Sequence, residues 1–431
     1  MTEDVFDAII VGAGVAGSSA AYRLAKAGLQ VVLIERGPFP GSKNLSGGVL
    51  YGRVLHDLIP NFWESAPVER VITNQVVSFL TADSSVNLDF KTEAFNQPPY
   101  NGFTVLRARF DRWLAEQAEA AGVMLVPGIK VDGVVKRDGK VVGISADNEE
   151  MLAKVVIAAD GANSFIAQQA GLRDKIPAGH AAVGVKEVIG LPREVIEERF
   201  HLNGNEGAAY NIVGFATRGV PGGGFLYTNQ ESLSVGLVIH LEALVERQLK
   251  PAEIFEDFLA HPMIAPLIKG GKLLEYGAHL VPEGGLKMMP PLAADGLLLV
   301  GDAAGFGVNN GFVVRGMDLA IGSAVAAAET IIEARAADDF SAARLQSYPS
   351  RLEKSFVMQD MRTYARAVDF MKNERLFEAY PALLSNILAD IYRQDAQPKK
   401  NLIPTLLKNL KASKISLLDL LKDALAGGRA L

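Results

Sequence analysis

The 431-residue chain contains no cysteine. That absence excludes disulfides, thiolate nucleophiles and any iron-sulfur cluster ligated by this chain in the usual way. No apolar run approaches the roughly 18 residues that a membrane-spanning helix needs, although apolar residues make up 49% of the chain. The N-terminus enters an apolar strand pattern within five residues and shows no basic flank or small-residue cleavage site, so no secretory signal is expected and the default address is cytoplasmic. The six histidines are scattered without the spacing of a zinc site. No metal is expected, and His240 and His279 read as structural. There is no internal repeat, no low-complexity segment and no basic excess to attract nucleic acid, since 43 Lys and Arg face 49 Asp and Glu. The charge is uneven, however. Residues 399–431 hold seven basic and two acidic side chains, a net of +5, which leaves −11 on a body with 36 basic and 47 acidic groups. The length allows one elaborated domain or two interleaved ones.

What is present is concentrated in three stretches. The first is VGAGVAGSSAAYRLAKAGLQVVLIERG, Val11 to Gly37. Phe6 to Val11 reads as a buried strand and Ser18 to Ala27 as a helix, with Gly12, Gly14 and Gly17, and Val15 and Ala16 between them, in the turn. This is the context that makes G-x-G-x-x-G a dinucleotide clamp: a tight turn at Gly12, close backbone approach to a pyrophosphate at Gly14, close helix packing at Gly17, and helix N-terminal amides aimed at the phosphates. A second strand, Gln30 to Ile34, delivers Glu35 and Arg36; a carboxylate at Glu35 suits ribose hydroxyls and disfavours a 2′-phosphate. The second stretch, AKVVIAADGANS, ends a strand at Ala159, Asp160 and Gly161. The third, DGLLLVGDAAGFGVNNGF, ends another at Gly301 and Asp302 and runs on through Asn310 and Gly311.

Three converging strand ends spread over some 300 residues resemble the FAD-dependent enzymes of the glutathione-reductase-like superfamily, in the branch shared by aromatic hydroxylases and geranylgeranyl reductases. The resemblance implies FAD, an acid at Asp302 on the ribityl chain, a helix starting near Gly311 aimed at the flavin ring, and a cofactor contact from Arg107 ahead of the amphipathic segment Val105 to Gly122. No second G-x-G-x-x-G occurs, so one bound dinucleotide is the economical reading.

The fold class expected is therefore α/β (α+β): a discontinuous glutathione-reductase-like FAD-binding Rossmann domain from residues 1–75, 105–175 and 285–345. A substrate-binding, largely antiparallel sheet is expected from residues 76–104 and 176–284, where short β-branched segments alternate with glycine. Residues 346–431 read as a helical C-terminal region with a break near Gln394 to Lys400, after a helix from Ala320 to Ala337.

The runs KNLSGG, GGGFLY and YGAHLVPEGG narrow the resemblance to electron-transfer-flavoprotein:quinone oxidoreductases, and the whole chain resembles the bacterial FixC-type branch of that family. It implies electrons accepted from a FixA/FixB-type flavoprotein pair and passed to quinone. It also implies FAD contacts from Lys43, Asn44, Ser46, Gly47, Gly48 and Val131. Gly222 and Gly223 would line the quinone pocket, where a flat ring must pass close to backbone; from the residues alone a hairpin glycine cluster reads as well. With no cysteine here, the cluster of the family must sit on a separate FixX-type ferredoxin-like subunit, and such four-part assemblies bifurcate electrons from NADH. Two other functions share these flavin motifs: a geranylgeranyl-reductase-like or hydroxylase-like enzyme on a lipid or aromatic substrate, and a docking or relay subunit that reduces no quinone.

Finally, NLIPTLLKNLKASKISLLDLLKDALAG (Asn401 to Gly427) sets leucines at helical spacing among lysines. A basic amphipathic stretch of this kind lies peripherally at the inner face of a cell membrane, docks a partner, or simply caps the fold. KMMPPL, Lys287 to Leu292, reads either as a second lipid-facing loop or as core methionines.

Overall fold

The computed structural model describes residues 5–44 and 48–431. Two sheets organise them. In the first, five strands run parallel in the order Leu297–Leu299, Glu149–Ala158, Phe6–Val11, Val31–Glu35 and Met124–Pro127, with the two-residue strand Ala293–Ala294 antiparallel at one edge. FDAIIV and VVLIE carry almost no polar residue because a central parallel strand is covered on both faces. Helices Val15–Ala25, Arg107–Ala120 and Met317–Ala337 pack side by side, with Val15–Ala25 between the other two, and share one core with the sheet, which Val141 and Ile144 also join. The hairpin Gly133–Arg137 and Lys140–Ala146 extends the Glu149–Ala158 strand.

The second sheet has nine strands. Its order is Lys272–Pro282, Ala181–Gly190, Ser232–His240, Gly222–Thr228, Glu206–Gly214, Val68–Leu80, Gly102–Val105 and Gly48–Tyr51, with Ser85–Lys91 also on Val68–Leu80. Only the Glu206–Gly214 and Val68–Leu80 pair is parallel. Gly48–Tyr51 and the start of Val68–Leu80 thus belong to this second sheet, although they fall within the 1–75 segment assigned to the dinucleotide domain. One face of the sheet packs on helices Arg193–Phe200 and Pro251–Ala260 through Ile196, Phe200, Ile254 and Phe258. Alternation along Gly222–Thr228 puts Leu226 into that core and turns Phe225 and Tyr227, stacked 5.0 Å apart, to the opposite face.

Two expectations shift here. The first helix begins at Val15, one turn before Ser18, and ends at Ala25. No helix starts near Gly311. Residues 308–315 form a small hairpin, Val308–Asn309 paired with Val314–Arg315, and the long helix begins at Met317. The asparagines explain this. Asn309 Oδ1 accepts the Gly311 N–H, and Asn310 Oδ1 accepts the N–H groups of Phe312 and Val313. Amides that a helix would need are already committed to a turn.

The C-terminal region is helical, with a gap between helices Ala379–Tyr392 and Leu402–Ala412. The last two helices are inverted. Leu402–Ala412 buries Thr405 and Asn409, while Leu402, Ile403, Leu406 and Leu407 are exposed. Leu417–Ala430 is held by Asp423, which accepts both arms of Arg375 at 2.7 and 2.8 Å and the Tyr380 hydroxyl; Leu417, Leu418, Leu421 and Leu425 face outward. In contrast, KMMPPL is folded inward. Met288 packs back on Gly284, Met289 joins the main core, Leu292 is buried, and Lys287 pairs with Asp369 at 2.7 Å. Among the described residues no helix is long and apolar enough to cross a membrane.

Candidate functional site

A cavity of about 670 Å³ runs between the two sheets. At one end are the ends of the three parallel strands. Gly12, at φ +101°, lies so close to the next strand that a Cβ there would sit 2.4 Å from the Ala159 carbonyl oxygen, and a Cβ on Gly17 would sit 1.9 Å from the Gly12 oxygen. Both glycines are thus demanded by the chain's own packing. Gly14 differs: its Cβ would meet no protein atom closer than 3.7 Å, and the space it would fill is the cavity.

Glu35 closes the second strand against this turn. One carboxylate oxygen accepts the Ala13 N–H at 3.1 Å and the other the Gly37 N–H at 2.7 Å, which fixes the group at the cavity wall. Arg107, at the start of helix Arg107–Ala120, reaches the same wall and donates twice to Asp111, at 2.7 and 2.8 Å. Asp111 is fully buried and also accepts from Asn44. Burial opposes the Arg107 charge, but Asp111, with Asp302 behind it, outweighs burial and holds the guanidinium above its usual range. Burial pushes the Asp302 carboxyl up, while Arg107 and then His279 pull it back. Asp160 is raised by burial too, against the Ile166 N–H and the Ser164 hydroxyl that donate to it.

The cavity therefore gathers most of the residues expected from sequence. Gly12, Gly14, Val15, Ala16, Glu35, Arg36, Lys43, Asn44, Gly48, Arg107, Val131, Ala159, Asp160, Gly161, Asp302 and Gly311 line it, as do Gly222 and Gly223 from the second sheet. Three do not. Gly17 is spent on helix packing. Gly301 packs against Ala16 and donates its N–H to Ser323, and Asn310 is turned into its own loop, leaving Asn309 at the wall. Ser46 and Gly47 lie outside the described residues.

His279, read from sequence as structural, lines the cavity beside Asp302, with Nδ1 2.6 Å from the Leu280 carbonyl. His240 bonds the Gly179 carbonyl at 3.2 Å and lines a smaller adjoining cavity. Sequence reasoning also missed Glu283 and Met371. Glu283 stands inside the YGAHLVPEGG run, so that run held the signal; nothing in the sequence links Met371 to Gly311, 60 residues upstream, where a Cβ would lie 3.5 Å from the Met371 sulfur.

Comparison with known proteins agrees with this geometry. A family model described as FAD dependent oxidoreductase matches residues 7–83, one described as ETF-QO, ubiquinone-binding, matches 181–281, and the ETF-QO/FixC family C-terminal domain matches 367–431. The chain is 49% identical over its full length to a probable electron transfer flavoprotein-quinone oxidoreductase, YdiS, of Escherichia coli K12, covering all of both chains. The chain belongs to the ETF-quinone oxidoreductase/FixC family. Protein FixC of Salmonella typhimurium is 48% identical over 427 residues, covering 99% of each chain. A solved geranylgeranyl bacteriochlorophyll reductase-like protein of Thermoplasma acidophilum superposes with a TM-score of 0.73 at 23% identity, covering 98% of this chain and 99% of that one, which speaks to the fold.

Like other members, this ETF-quinone oxidoreductase/FixC-family chain is an FAD-dependent oxidoreductase. The residues present fit that cofactor. The cavity is open where a methyl on Gly14 would project, the carboxylate of Glu35 stands at a strand end, and the turn, helix and strand ends share one continuous wall.

Proposed function

We propose that this chain accepts electrons from a FixA/FixB-type electron-transferring flavoprotein pair and passes them to quinone, within an NADH-driven bifurcating complex that includes a FixX-type ferredoxin-like subunit. One observation carries the reading. A single cavity joins the glycine turn of the first sheet to Gly222 and Gly223, which fall in the segment matching the ubiquinone-binding family model. A chain without cysteine needs its cluster on another subunit, which supports the FixX-type partner.

FAD, when bound, supplies the two-electron and one-electron redox chemistry. The chain's residues hold and tune it. Gly14 and the N-terminus of Val15–Ala25 receive the pyrophosphate, Glu35 the ribose hydroxyls, and Asp302 the chain that links phosphate to ring. Arg107, held cationic by Asp111, balances Asp302 and would add positive potential to the cavity that FAD would occupy. Phe225 and Tyr227 exclude water on the sheet side, and Gly222 and Gly223 leave a slot for a planar ring. The outward leucines of Leu402–Ala412 and Leu417–Ala430, set among Lys408, Lys411, Lys414 and Lys422, support peripheral contact with the inner face of the membrane, where a long-tailed quinone resides.

The test is direct. FAD-loaded protein, reduced chemically, should be reoxidised by a short-chain quinone and should not be reduced by NADPH alone. Rapid NADPH reduction would favour a geranylgeranyl-reductase-like or hydroxylase-like enzyme, and failure with every quinone would favour a docking subunit.

A further inference from the structure

We infer that Glu283 is the proton donor to a quinone oxygen, supplied from the smaller cavity that opens behind it. This rests on the quinone-reducing reading above. Strand Lys272–Pro282 ends at Pro282, and the next N–H, of Glu283, donates to the His180 carbonyl at 2.8 Å, which fixes where the side chain leaves the sheet. From there Glu283 lines the large cavity together with Gly222 and Asp302, and it also lines an adjoining cavity of about 190 Å³. It stands at the partition between the two.

Most of the smaller cavity's wall is apolar, including Val281, Phe306, Val308, Val368 and Phe377. Its ionisable groups are Glu283, His240, Lys372, Arg315 and Asp302, and His279 faces the same region from the large cavity. Arg315 is engaged by Asp318 and Asp360, and Lys372 donates to the Gly179 carbonyl at 3.2 Å. The carboxyl of Glu283 meets the side chain of Asn309, whose oxygen is already occupied by the Gly311 N–H. Burial pushes the Glu283 carboxyl up to about 7, with Asn309 and then Lys372 pulling the other way. Such a group holds a proton near neutral pH and can release it.

Quinone takes two electrons from the reduced flavin and two protons to become quinol. For the proton on the oxygen that faces it, the Glu283 O–H bond breaks as an O–H bond forms on that quinone oxygen, and the carboxylate is reprotonated from solvent through the smaller cavity; the opposite quinone oxygen takes its proton from solvent. The protons that the flavin gives up on reoxidation leave to solvent.

Glu283→Gln and Glu283→Asp test this. FAD-loaded protein is reduced chemically and mixed with a short-chain quinone, and flavin reoxidation is followed as a function of pH. The wild-type rate should fall as pH rises through about 7, the carboxyl value. The Gln variant should be about 100-fold slower, within the usual range of general acid catalysis, and flat with pH. The Asp variant should keep a pH limb displaced from that of the wild type. Infrared difference spectra supply a readout independent of turnover: a protonated-carboxyl band that disappears over the same pH range in wild type and is missing from the Gln variant. Equal rates and profiles in wild type and Gln variant, an unmoved limb in the Asp variant, or a band that survives in the Gln variant would overturn the inference and leave quinone reduction standing. If no quinone reoxidises wild-type flavin, the reading beneath it fails as well.

Discussion

Alanine at Gly14 and alanine at Gly17 separate cofactor space from packing space within one turn of chain. A Cβ on Gly17 would stand 1.9 Å from the Gly12 carbonyl oxygen, so that oxygen or the helix must retreat by about 1 Å. Gly12 cannot yield easily, because its own φ is +101° and it is wedged against the Ala159 carbonyl. Overpacking of this kind costs about 1–3 kcal/mol, and the helix preference for Ala over Gly returns roughly 1 kcal/mol. With overpacking in the upper part of that range, about 2–3 kcal/mol, less the roughly 1 kcal/mol returned, the apoprotein of Gly17→Ala should be less stable by about 1–2 kcal/mol. At Gly14 the nearest atom is 3.7 Å away, an ordinary contact, and the helix-cap cost of Gly→Ala is below about 1 kcal/mol. Here the methyl enters the cavity. Losing one hydrogen bond to a charged phosphate, about 1.5–3 kcal/mol, would weaken FAD binding by roughly 10- to 150-fold. Denaturant unfolding of both apoproteins and calorimetric titration with FAD read the two effects separately. The reasoning is refuted if Gly14→Ala binds FAD as wild type does, or if Gly17→Ala unfolds with the wild-type midpoint.

Three further outcomes follow from the same structure. Arg107→Met strands the fully buried Asp111 carboxylate with Asn44 as its remaining side-chain partner among the described residues, so stability should drop by about 3–5 kcal/mol; Asp111→Asn added to it should recover part of the loss in denaturant unfolding. Gly223→Ala places a methyl 3.2 Å from the Ile212 oxygen at the cavity wall and should raise KM for a short-chain quinone several-fold with flavin content unchanged, whereas Gly222→Ala, 2.3 Å from the Val238 oxygen, should lower the yield of folded protein. Serine at Leu417, Leu418, Leu421 and Leu425, all exposed, should leave thermal unfolding unchanged and abolish sedimentation with anionic vesicles; unchanged sedimentation would assign those leucines to a protein partner.

Read along the chain, local chemistry already specified much of this protein. Largely apolar strands such as FDAIIV, glycines at fixed offsets and a carboxylate one strand later can satisfy their backbone and packing only as strand, turn and helix, so Gly12, Gly14, Glu35, Asp160 and Asp302 were legible as one wall. The absence of cysteine was equally local. Other features depended on how distant segments met. The side chains of Asn309 and Asn310 captured amides that a helix near Gly311 would have used. Two C-terminal helices turned Thr405, Asn409 and Asp423 inward because partners such as Asp390 and Arg375 were waiting there, which sent their leucines outward. Glu283, His279 and Met371 joined the site only because the second sheet and the C-terminal region close over the first. Periodicity identifies which residues share a face, and only the packing of one element on another decides what that face meets.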